Sequence, residues 1–140
     1  MVYVDTSVLV ALCVREAMSA TVGRWYAGCS EELGSATWCV TEFASALGIK
    51  QRIKQISADQ AGGAWEAFER LCASDLQLLA VEPPTFHRAA MLTLDATTGL
   101  RAGDALHLAA ALDAKASSLA TLDDVLARNA MRMNISPTGF

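Results

Sequence analysis

The sequence predicts an α/β fold, with a short central parallel sheet of about four to five strands flanked by helices on both faces. Two observations carry this reading. Short apolar and β-branched runs alternate with longer segments of helical period from one end of the chain to the other. No internal repeat, low-complexity tract or linker interrupts that alternation, and neither flank of the Pro83-Pro84 pair looks able to fold alone. A chain of 140 residues, 53% of them hydrophobic, is therefore read as a single domain over 1–140. At that length about two-thirds of the unfolded surface can be buried without help from a disulfide or structural metal.

The first strand is Val2-Tyr3-Val4, β-branched and aromatic. Thr6 or Ser7 is placed to cap a helix running to about Cys13. Val22, Trp25 and Tyr26 recur at helical spacing from Ser19 to about Cys29, and Leu33 to Thr37 fits a short strand. From about Cys39 to Lys54 a polar stripe of Thr41, Ser45, Gly48 and Arg52 lies opposite Val40, Phe43, Ala44 and Leu47, which makes a helix. Ser57 to about Ser74 is a further helix, with Asp59 and Gln60 in its first turn and Gly62-Gly63 weakening its start. Leu76 to Val81 reads as a continuous apolar strand. Pro83-Pro84 ends it and introduces a helix from Thr85 to about Thr97. Gly103 precedes a helix from Asp104 to about Ala116. Leu119 to Thr121 is then a strand, Leu122 to Met131 a helix, and Met133 to Ser136 a final edge strand.

A net charge of −4 argues against a protein that coats nucleic acid through a basic surface. Any such binding must rest on a local basic patch or on metal ions. Cys13, Cys29, Cys39 and Cys72 share no C-x-x-C spacing, and His87 and His107 are the only histidines. Reduced thiols in a reducing compartment are expected, not a zinc site. Asp5 interrupts the first apolar run with no basic segment before it, so no signal peptide is expected. No stretch of about 18 apolar residues suits a membrane span. The expected location is the cytoplasm.

The acidic residues fall where strands hand over to helices, the place where open α/β sheets bind ligands. Asp5 ends the first strand, Asp104 begins a helix, and Asp123 lies two residues beyond Thr121. Taken singly, Asp104 and Asp123 are explained as helix caps favoured by the helix dipole, with Asp124 a competitor for the second. Glu42 is different. It lies about a quarter turn off the polar stripe of its helix, beside Ala46, Ile49 and Ile53, where an unpaired charge is costly. If the four converge, two carboxylates about 5 Å apart repel by roughly 3 kcal/mol at an effective dielectric of 20. Such a site must share protons or bind a cation, and oxygen ligands without thiolate or imidazole select Mg²⁺ or Mn²⁺.

With these residues in place the chain resembles the PIN domains, and more narrowly the VapC-like toxins of bacterial toxin–antitoxin pairs. The matching segments are Val4-Asp5-Thr6-Ser7-Val8-Leu9, Thr41-Glu42, Gly103-Asp104-Ala105-Leu106-His107-Leu108-Ala109 and Thr121-Leu122-Asp123, in that order across nearly the whole chain. The resemblance implies a PIN fold and a Mg²⁺- or Mn²⁺-dependent endoribonuclease that cuts structured RNA such as tRNA or rRNA. It also implies a homodimer and a small cognate antitoxin. It carries Asp5, Glu42, Asp104 and Asp123 over as the acidic metal site, with Thr6 or Ser7 and Thr121 as supporting hydroxyls. Leu126 departs from the aromatic residue of many relatives, which touches packing alone, and the stretch from Ile53 to Cys72 lends no support.

Lys50, Arg52 and Lys54 form a basic helix end that suits either phosphate contact or solvation, and Arg15 and Arg101 lie near the acidic motifs. An antitoxin arginine would also suit the site, since guanidinium matches carboxylate geometry. His107, three residues after Asp104, is read as structural before general acid; Trp25, Trp38, Trp65 and Phe68 are read as packing residues. The alternative function is a non-catalytic PIN-like module that binds a partner protein. Receiver and haloacid-type phosphatase readings fit poorly. The phosphatase wants an acid where Ser7 stands, and the receiver wants a lysine after the late strand that Lys115 precedes.

Overall fold

The computed structural model describes residues 1–140. One sheet contains β1 (Val2–Val4), β2 (Leu33–Ala36), β3 (Leu76–Leu79), β4 (Ser118–Ala120) and β5 (Ser136–Pro137). Their spatial order is β3-β2-β1-β4-β5, and every neighbouring pair is parallel. The connecting helices are α1 (Thr6–Cys13), α2 (Ser19–Gly28), α3 (Trp38–Arg52), α4 (Ala58–Ser74), α5 (Pro83–Leu94), α6 (Ala102–Asp113) and α7 (Asp124–Arg132). No helix is long and apolar enough to cross a membrane.

Successive strand residues face opposite ways, and each face has its own core. Val2, Val4 and Leu33 pack with Leu9, Phe43, Leu47, Ala64 and Phe68 from α1, α3 and α4. Tyr3, Ala36 and Leu119 pack on the other face with residues of α5, α6 and α7, including Ala89, Leu106, Leu108 and Leu126. Phe43 stacks on Phe68 with ring centroids 4.2 Å apart, and Trp65 tilts against both. Leu126 is fully buried in this second core. All four cysteines are free thiols, and burial pushes Cys13 and Cys39 up to about 11.

Several local expectations are corrected. Neither Thr6 nor Ser7 caps α1: Asp5 occupies the cap position without a side-chain capping bond, and both hydroxyls turn to carboxylates instead. In α3 the buried stripe is Cys39, Phe43 and Leu47, while Ala44 is exposed. The strand expected over Leu76–Val81 stops at Leu79 and lies at the sheet edge, so Gln77 and Leu78 stay exposed despite the apolar run. Helix α5 begins at Pro83 and ends at Leu94, because the Asp95 side chain accepts from the Thr97 N–H and closes a turn there. Helix α6 begins at Ala102, before Gly103 and Asp104, and α7 begins only at Asp124. The last strand falls at Ser136–Pro137, starting three residues and ending one residue later than expected, and is an edge strand as expected. At α4 the Ser57 side chain accepts from the Gln60 N–H while the Gln60 side chain accepts from the Ser57 N–H, a reciprocal cap that outweighs Gly62-Gly63.

The chain leaves β1 toward β2 and β3, then returns to place β4 on the other side of β1. Between β1 and β4 the direction of winding reverses, which opens a crevice beyond the carboxyl ends of these two strands.

Candidate metal centre

Asp5 follows β1, and Thr121 follows β4, in that crevice. Glu42 lies early in α3, Asp104 is the third residue of α6, and Asp123 is the N-cap of α7. All four carboxylates line one cavity of about 600 Å³, together with Thr6, Ser7 and Trp38. Helix N-terminal ends face the same crevice, and their dipoles offset part of the negative charge.

The carboxylates are held in one consistent way. Ser7 and Thr121 both donate to Asp5 Oδ2, at 2.6 and 2.8 Å. The same hydroxyls accept the Leu122 and Asp123 N–H groups, each at 3.0 Å, which fastens the β4–α7 turn to β1. Thr6 donates to Glu42 Oε2 at 2.7 Å, and His107 Nε2 approaches that oxygen at 2.5 Å. Asp123 Oδ1 accepts the Leu126 N–H at 2.8 Å, so the capping role read for Asp123 is real and occupies one oxygen. Asp104 takes no side-chain donor. Each carboxylate thus has at least one oxygen with no hydrogen bond from a protein side chain, and none of the four is paired with lysine or arginine.

Electrostatics follow the same pattern. Burial, then the fields of Asp123 and Asp5, raises the Asp104 carboxyl above its usual range. Burial acts on Glu42 in the same sense, but the His107 hydrogen bond and charge and the Thr6 hydroxyl outweigh it and hold Glu42 below its usual value. For His107 burial opposes the charged form, yet the Glu42 hydrogen bond and the nearby acids raise it. An all-oxygen donor set with unspent lone pairs and no fixed counter-charge fits a hard divalent cation.

Of the basic residues singled out from the sequence, two reach this region. Lys50 lines the far end of the cavity, where it is ion-paired with Glu16. Arg101 lines a second opening of about 500 Å³ on the other side of Glu42, Asp104 and Asp123. Arg15, Arg52 and Lys54 are exposed and line neither space, and Asp124 stays outside as the first residue of α7.

His107, read as structural before general acid, is 1% exposed and lies beneath the carboxylates, not at the mouth of the site. Two features escaped sequence reasoning. Gly103 passes so close to Glu42 that a Cβ there would stand 2.5 Å from Oε1. The Trp38 indole, which lines the cavity, has its Nε1 buried without a hydrogen-bond partner. Only the Gly103 signal, a glycine directly before an acid in a helix-forming run, was present in the sequence.

A doubly wound sheet with acids gathered at its switch point defines a class of ligand-binding α/β folds. The family follows from comparison: the PIN domain model matches residues 2–131, and the chain belongs to the PIN domain family. Solved structures agree in fold. VapC20 of Mycobacterium tuberculosis, described as a sarcin-ricin loop cleaving toxin, superposes with a TM-score of 0.75 at 18% identity, over 92% of this chain and 95% of that one. PAE2754 of Pyrobaculum aerophilum gives 0.69 at 20% identity, over 97% and 82%. VapBC2 of Rickettsia felis, solved on a DNA fragment from its promoter, gives 0.65 at 14% identity, over 99% and 98%. No curated protein matches the sequence.

Proposed function

We propose that this protein is a metal-dependent endoribonuclease and the toxin of a toxin–antitoxin pair, with residues 1–140 as one domain. The observation that carries the reading is the set of four carboxylates lining one cavity, each with oxygen lone pairs left free and none facing a lysine or arginine. Asp5, Glu42, Asp104 and Asp123 would hold Mg²⁺ or Mn²⁺. Such an ion polarises a phosphoryl oxygen and lowers the pKa of a water.

The chain's own residues do the rest. Ser7 and Thr121 fix Asp5, while Thr6 fixes Glu42. One of the four carboxylates would also take the proton from an attacking water. Arg101, at the second opening with no ion-pair partner, suits a flanking phosphate. Lys50 reaches a phosphate only by releasing Glu16.

VapC20 is described as cleaving the sarcin-ricin loop, and VapBC2 was solved as a complex with promoter DNA. On this reading the substrate is a structured RNA, tRNA or rRNA, and the partner a small cognate antitoxin, in the cytoplasm; the cleaved loop named for VapC20 supports the RNA. An antitoxin arginine would match the unpaired carboxylates. Phe86 and Leu94, 53% and 77% exposed on one stripe of α5, support a homodimer. The test is Asp5→Asn. Abolished RNA cleavage with unchanged antitoxin binding supports the enzyme; equal cleavage by mutant and wild type contradicts it.

A further inference from the structure

The mechanism leaves one buried ionisable pair unused. Tyr3 and His107 are 0% and 1% exposed, on the face of the sheet opposite Phe43. The Ala36 N–H donates to the Tyr3 hydroxyl oxygen at 3.0 Å, and that hydroxyl lies 2.8 Å from His107 Nδ1. Whether the Tyr3 hydroxyl donates to Nδ1 of the neutral ring or accepts from Nδ1–H of the charged one, the ring keeps its Nε2 hydrogen for Glu42. Nε2 lies 2.5 Å from Glu42 Oε2, 3.1 Å from Thr6 Oγ1 and 3.6 Å from Asp5 Oδ1.

The ligand atoms of Asp5, Glu42 and His107 fall within 4.8 Å of one another, which puts His107 at the distance of a third metal ligand. Its bonding speaks against that role. Both ring nitrogens are engaged, one with Tyr3 and one with Glu42, and the ring lies below the cavity wall. A histidine that ligates a metal needs a free lone pair on the side of the ion.

We propose that His107 is a positioning residue and not a ligand: Tyr3, anchored on the Ala36 N–H of β2, sets the ring so that Nε2–H pins Glu42 Oε2 and leaves Oε1 for the metal. This rests on the metal-centre reading above and adds a tie from the strand backbone to the ligand. Partners of this kind typically alter metal affinity by about 10–100-fold when removed.

The experiment is Mn²⁺ binding to the purified, antitoxin-free protein, read from the free-ion electron paramagnetic resonance signal, with thermal unfolding alongside. His107→Leu keeps the volume and removes the N–H; it is expected to weaken Mn²⁺ binding by roughly 10–100-fold. His107→Gln, whose amide can return a donor to Glu42, is expected to recover most of that loss. Tyr3→Phe is expected to weaken binding in the wild-type background and to add little in the His107→Gln background, where no tautomer needs fixing.

Equal Mn²⁺ affinity for His107→Leu and His107→Gln overturns the proposal, as does full affinity in Tyr3→Phe. Should Tyr3→Phe fail to fold, the Leu–Gln contrast decides alone. Wild-type protein that binds no Mn²⁺ overturns this inference and the metal centre together. If the mutant series behaves as expected but wild type cleaves no RNA, the nuclease reading fails while the positioning role stands.

Discussion

Gly103→Ala separates the geometry of the site from the stability of the fold. A Cβ at this position would stand 2.5 Å from Glu42 Oε1 and 3.6 Å from Trp38 Nε1. Ordinary contact needs about 3.5 Å, so the carboxylate must retreat by roughly 1 Å. It cannot do so by a simple swing, because Oε2 is tied to Thr6 and His107. A misplacement of about 1 Å in catalytic machinery costs roughly 100-fold in rate, or about 2.7 kcal/mol of transition-state stabilisation. The backbone pulls the other way. Gly103 lies inside α6, where alanine is favoured over glycine by up to about 1 kcal/mol. The expected variant therefore keeps or slightly raises its Tm while kcat/KM on a labelled RNA falls about 100-fold. Full activity, or a fall in Tm large enough to explain the lost rate, refutes the reasoning.

Thr121→Val keeps the shape but removes a buried hydroxyl that serves both Asp5 and the Asp123 N–H. A loss of about 1–3 kcal/mol in urea unfolding is expected, together with reduced cleavage. Asp104→Asn acts oppositely on stability. The carboxyl is raised in the fold, so the stabilising contribution of its neutral form is present at low pH and is lost as pH rises through the raised value. The asparagine variant should therefore be more stable than wild type at neutral pH without metal, with a flatter pH profile just above the usual carboxylate range, while losing Mn²⁺ affinity. A metal-free variant less stable than wild type at neutral pH contradicts this. Arg101→Ala should weaken RNA binding at low salt and reduce the salt slope by about one phosphate contact, whereas Arg52→Ala should do neither.

The sheet and its helices were legible because a parallel α/β fold writes itself as alternating periods, and β1 and α3 show this best. The carboxylates were legible through their position at strand ends and on the apolar flank of α3. Boundaries were less so. Thr6 and Ser7 carry the residue types of a helix cap, yet spend their hydroxyls on Glu42 and Asp5, a choice made by tertiary contacts that no local pattern records. The apolar run from Leu76 to Val81 read as one strand, but its place at the sheet edge, which leaves Gln77 and Leu78 exposed, depends on strand order. His107 and Tyr3 meet across 104 positions of chain, so their pairing had no signature in either segment.

The most direct test of the central claim is cleavage of total cellular RNA by purified, antitoxin-free protein with Mg²⁺, Mn²⁺ or EDTA, beside Glu42→Gln. Discrete products that require the metal, vanish in EDTA and are lost in the variant are the expected result. Cleavage that survives both EDTA and Glu42→Gln, or no cleavage above the variant's level with either metal, contradicts it.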